Sequence, residues 1–107
     1  MRMNKLDQDI QDLKVEKQLL ESLNRLLNNS DFKRVIMDDF LTKHPLRLIQ
    51  GKGVLKLDPQ INQDIDRQLD GVALFKMYLD QLTSGIADID YRISDAETLR
   101  EEQLRNN

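Results

Sequence analysis

The sequence predicts an all-α protein: an antiparallel hairpin of two long helices, about residues 4–28 and 59–104, with a short capping helix (about 31–43) and a loop between them. Three observations lead there. A leucine falls at every seventh residue near the start, at Leu6, Leu13, Leu20 and Leu27, which is the heptad spacing of packed helices. A second stripe, Val72, Phe75, Leu79, Leu82, Ile86, Ile89, Ile93 and Ala96, advances in steps of three and four without a miss; that is the helical period. Only two prolines and four glycines interrupt 107 residues, of which 39% are apolar and 33% charged, a balance that suits long helices. Aromatic residues are few and tryptophan is absent, so a thick globular core is not expected.

Taken in order, the first helix carries the ladder at its heptad d positions. Its a positions are Met3, Ile10, Lys17 and Asn24. Polar residues at a set register at the expense of stability. Leu19, Leu23 and Leu26 add apolar surface off the seam, so the helix begins narrow and ends broad. A broad face packs against more than one neighbour. The ladder therefore reads first as half of an intramolecular hairpin, ahead of a zipper between two chains.

"NNSD" (Asn28 to Asp31) closes that helix and opens the next. Asn29 or Ser30 can cap the new N-terminus, and Asp31 suits its positive end. The capping helix lines up Phe32, Val35, Ile36, Phe40 and Leu41. Pro45 then interrupts, because proline disfavours helical geometry at the residue before it and lacks a donor. "GKG" (Gly51 to Gly53) reads as a loop and "VLKL" (Val54 to Leu57) as a short extended piece. Asp58 followed by Pro59 is a strong helix start. Ile61, Ile65 and Leu69 extend the long stripe backwards. Gly85 lies inside it, after Thr83 and Ser84. A turn there has no reason to keep the heptad phase, so one helix through Gly85 is expected, the glycine costing about 1 kcal/mol against alanine.

In such a hairpin the seam at Leu6, Ile10 and Leu13 runs beside Leu82, Ile86 and Ile89. The remainder of the long helix projects past the N-terminus and leaves Ile93, Ala96 and Leu99 without an intramolecular partner. Exposed apolar stripes are contact surfaces. The candidate protein-contact residues are thus Leu6, Ile10, Leu13, Ile93, Ala96 and Leu99. Residues 1–107 form a single helical domain on this view, and 96–107 form a tail that frays or meets a partner.

Charge is unevenly placed. Residues 31–57 hold six cations (Lys33, Arg34, Lys43, Arg47, Lys52 and Lys56) against three acids, whereas residues 58–107 hold eleven acids against five cations. Two readings stay open. The basic middle attracts the acidic end, within or between chains, or it touches nucleic acid through those six cations. With no cysteine there is no disulfide or thiolate chemistry, and a reducing cytoplasm suits the chain. The charged N-terminus does not read as a signal peptide. No apolar run approaches membrane-spanning length, so a soluble protein is expected. The lone His44 has no ligand or base partner, "GKG" lacks the spacing of a phosphate loop, and Asp88 and Asp90 fall on different helix faces. No metal, cofactor, small-molecule substrate or enzymatic activity is expected.

"LNRLLNNSDFKRVIMDDFLTKHPLRLI" (Leu23 to Ile49) resembles the N-terminal part of small helical proteins encoded among the head and morphogenesis genes of tailed bacteriophages. The residues that carry the likeness are Leu26, Leu27, Asn29, Asp31, Phe32, Val35, Ile36, Phe40, Leu41, Arg47 and Leu48. "IDRQLDGVALFKMYLDQL" (Ile65 to Leu82) is similar to their second long helix. Pro45 departs from the pattern, which keeps a helix running there. The resemblance implies a multi-copy structural or assembly protein of the phage head or head–tail region. On that basis the chain is made in the host cytoplasm, is incorporated in the virion, and binds other virion proteins or itself. The alternatives are a nucleic-acid-associated protein and a helical adaptor or inhibitor of a host protein.

Overall fold

The structure, a computed structural model, describes residues 4–54 and 58–106, and all elements among them are helical. Helix α1 spans Lys5–Leu27. Asn4 caps it, its side-chain oxygen accepting from the Asp7 N–H at 2.8 Å. A single turn, α2 (Ser30–Phe32), follows, and Asn29 is the cap: its Oδ1 accepts from the Phe32 N–H at 3.0 Å. Lys33–Lys43 then winds as a π-helix, and α3 (His44–Val54) continues from it. In that π-helical stretch hydrogen bonds reach back five residues. The His44 N–H donates to the Asp39 carbonyl, and the Thr42 hydroxyl donates to the Met37 carbonyl at 2.8 Å.

The capping helix therefore does not end near residue 43, and Gly51 and Gly53 are helical rather than a loop. Pro45 is tolerated because it is the second residue of α3, where the winding changes. His44 keeps helical angles of −63° and −50° before it. Contacts to α4 (Pro59–Ile86) hold the extension in place. The Phe40 ring stacks on His44 and meets the edge of Phe75 at 5.7 Å, and Lys52 pairs with Asp66 at 2.5 Å. Tertiary contacts of this kind override weak local preferences. The extended piece expected at Val54 to Leu57 meets the helical Val54, and its other residues lie outside those described.

Asp58 caps α4 by accepting from the Gln60 and Ile61 N–H groups, and Pro59 takes the first helical position. The long helix expected over 59–104 is divided. It stops at Ile86, turns through Ala87 and Asp88, and resumes as α5 (Ile89–Arg105). The break is at Asp88, whose angles of −115° and −1° lie far from the helical mean. Gly85 lies within the last turn of α4 instead. A Cβ there would sit 3.3 Å from Leu20 Cδ1, so glycine serves close packing. The two-residue turn returns the chain in phase, which is why the stripe reads as unbroken.

The chain divides into two compact units, one built from residues 1–25 and 82–107, the other from 26–81. In the first, α1 and α5 run antiparallel. Asp7 pairs with Arg100, Glu16 with Arg92, and Lys17 with Asp90, so numbers fall on α5 as they rise on α1. Leu20, Ile89 and Ile93 form its buried cluster, with Leu13, Leu82 and Ile86 packed against them. Each such side chain, removed from water, contributes about 1.5–3 kcal/mol before chain entropy is counted. In the second unit the stretch containing Phe40 and Lys52 runs antiparallel to α4. Among the described residues its buried side chains, Ile65, Val72 and Leu79, all belong to α4.

Candidate protein-contact site

All six candidate contact residues lie in the first unit, but the structure divides them. Ile10 is 2% exposed, and Ile93 and Ala96 are 9% exposed. Ile93 and Ala96 were expected to project without an intramolecular partner; instead they are covered within the chain. The reason is register. Within this unit α1 pairs with α5 down to the Asp7–Arg100 pair, so α5 does not project free of it. Leu99 stays about half exposed.

Between α1 and α5 a groove of about 470 Å³ remains open. Leu6, Leu13, Ala96 and Leu99 give it an apolar floor, so four of the six candidates meet there. Asp9, Asp12, Glu16 and Asp95 line it with carboxylates, and Tyr91 and Arg92 complete the wall. Arg92 is held by Glu16 at 3.3 Å, and Asp12 accepts from the Gln8 amide at 2.9 Å. Among the described residues, neither Asp9 nor Asp95 has an ion-pair partner. Tyr91 is 73% exposed. Periodicity alone passes over these acids and Tyr91. Heptad position does point to Asp9 and Glu16, which flank the seam as g residues.

Lys17, the polar residue at a, is explained by the same pairing. Its ammonium meets the Asp90 carboxylate at 2.6 Å. That hydrogen bond, then the attraction between the two charges, raises the Lys17 pKa above the ordinary lysine value. A polar a residue is satisfied here by the chain's own α5.

Of the six basic candidates, five are described. Lys33, Arg34, Lys43 and Arg47 are exposed along the second unit. Arg47 is paired with Asp39 at 2.9 Å and Lys52 with Asp66. Lys56 lies outside the described residues. His44 stacks on Phe40. Among the described residues no three potential metal ligands gather, and no helix is long and apolar enough to cross a membrane.

Large apolar side chains are exposed on the second unit. Val35, Leu46 and Ile49 point outward, as do Leu74, Met77 and Tyr78 of α4. The last three lie on the face opposite Val72 and Leu79, by helical spacing. No protein-family model, no curated protein and no solved structure matches the chain.

Proposed function

We propose that this chain is a non-enzymatic assembly protein of a tailed-phage particle, present in several copies in the head or head–tail region and acting through helix-mediated protein contacts. The observation that carries the reading is the open groove of the first unit, apolar at its floor and acidic at its edges. Apolar surface left open in this way serves binding. The exposed Leu46, Ile49, Leu74, Met77 and Tyr78 support the same class. Its assignment to a phage is supported by the likeness of Leu23–Ile49 and Ile65–Leu82 to small morphogenesis proteins. The antiparallel hairpin expected from the sequence enters this reading through the α1–α5 pair, whose three ion pairs support it.

The test is mass spectrometry of purified particles of the phage that encodes the chain. Recovery of the chain at a fixed ratio to other virion proteins is expected. Its absence from particles sinks the virion role. Leu99→Asp, placed in the open groove, is expected to lower incorporation while leaving helix content unchanged by circular dichroism. Retention on DNA or RNA that salt abolishes would shift the function to nucleic-acid association through Lys33, Arg34, Lys43, Arg47, Lys52 and Lys56.

A further inference from the structure

The groove has an acidic character that selects its occupant. Four carboxylates line it against one guanidinium, and Asp9 and Asp95 have no ion-pair partner among the described residues. An occupant must therefore bring apolar side chains for the floor and cations for the edges, with few acids of its own.

One segment of this chain meets that description. Residues 40–57 contain Lys43, Arg47, Lys52 and Lys56 and no acid. Within it, Lys43, Leu46, Arg47 and Gln50 fall at i, i+3, i+4 and i+7, one stripe of a helix, with Ile49 beside it. Leu46 and Ile49 are each 56% exposed. Leu46 is thus displayed between Lys43 and Arg47, with Ile49 just beyond; Lys43 is unpaired among the described residues, and Arg47 reaches Asp39 at 2.9 Å. The shorter face fits within the length of the groove. Leu6 to Leu13 spans about 10 Å of groove, and Leu46 to Ile49 spans about 4.5 Å of helix.

We propose that the acidic groove between α1 and α5 of one copy receives, from a second copy, the exposed Lys43–Ile49 face where the π-helical stretch runs into α3. Symmetric alternatives are unfavourable, since groove on groove sets acid against acid and α3 on α3 sets cation against cation. The contact is therefore head to tail: each copy offers one groove and one basic face. Such contacts repeat and build rings or filaments. The proposal deepens the assembly reading by naming the partner, and it rests on that reading only for its biological setting.

Sedimentation velocity on the full chain tests it without particles, so its outcome is separate from virion incorporation. The wild type is expected to associate at low salt in a concentration-dependent way and to dissociate as salt is added. Asp9→Lys with Asp95→Lys gives a copy basic at both surfaces. Lys43→Glu with Arg47→Glu gives a copy acidic at both. Each is expected to weaken self-association by about tenfold or more. Mixed in equal amounts, the two variants are expected to associate again, because each groove then meets a face of opposite charge. A wild type that stays monomeric at low salt overturns the proposal, as does a mixture that stays monomeric while both variants keep wild-type helicity. Leu46→Ser with Ile49→Ser provides a check independent of charge and of these folds. It changes only exposed side chains and is expected to reduce association; unchanged association would overturn the contact.

Discussion

The two units use similar helices differently. The first buries one stripe: Ile10, Leu20, Ile89, Ile93 and Ala96 are covered and three ion pairs tie α1 to α5, while Val15, Leu19, Tyr91, Leu99 and Leu104 stay exposed. In the second, none of the side chains from 30 to 53 is buried, and Val35, Leu46, Ile49, Leu74, Met77 and Tyr78 face outward. A leucine ladder alone does not distinguish a structural seam from a contact surface. What separates them is whether the opposing helix is already present in the chain. The first unit pairs its ladder internally and keeps one open groove; the second displays more of its large apolar side chains.

The largest expected effect breaks the first unit. Leu20→Ala removes a side chain that is 2% exposed at the centre of the buried cluster, and is expected to destabilise by about 3 kcal/mol in denaturant unfolding. A loss under about 1 kcal/mol would mean that this unit is no better packed than the other. Next comes the cap that starts the second unit's helices. Asn29→Ala deletes the acceptor for the Phe32 N–H and is expected to lower stability by about 1 kcal/mol, read from the thermal midpoint.

A pair of glycines sharpens the contrast further. Nothing lies within 4 Å of a Cβ added at Gly71, in the exposed interior of α4. Gly71→Ala is expected to stabilise by about 0.5–1 kcal/mol. At Gly85 the added Cβ presses on Leu20 at 3.3 Å, so Gly85→Ala is expected to gain less or to lose. Equal gains in chemical denaturation would remove the packing role given to Gly85.

The smallest effect is electrostatic. Asp90 raises the Lys17 pKa in the folded chain. The pair's contribution is therefore fully present below the unfolded lysine pKa and is lost as pH rises through the folded one. Thermal midpoints of wild type and Lys17→Met are expected to differ slightly at neutral pH and to converge at strongly alkaline pH. Both partners are well exposed, so salt should shrink the difference as well. A gap that widens with alkali would contradict the pairing.

The local signals were legible in the sequence. Asn29, Asp58 and Pro59 start helices where their chemistry says they should, and the ladder marks the face of α1 that pairs. What periodicity could not reveal depends on contacts between distant residues. The helix passes Pro45, Gly51 and Gly53 while Phe40 meets Phe75 and Lys52 meets Asp66. The turn at Ala87 and Asp88 is invisible to a heptad pattern because it preserves the phase. Leu6, Leu13, Ala96 and Leu99, picked from the stripes, line one groove. Ile10 and Ile93 lie buried in the first unit, which their place in the stripe does not by itself reveal. Asp9 and Asp95 carry no apolar periodicity, so only the pairing of α1 with α5 brings them to one groove.

The eleven-residue π-helical stretch sets the aim of everything after it. An α-helix turns about 100° per residue, and the wider winding turns less. Over Lys33–Lys43 the shortfall adds up to roughly half a revolution. The stretch is thus a dial between Asn29 and α3. Rewound as an ordinary α-helix, it would swing Leu46, Arg47 and Ile49 inward and bring Leu48 out. The outward basic face is a property of that winding as much as of the residues displayed on it, and a one-residue insertion or deletion there would re-aim the face without altering a single side chain upon it.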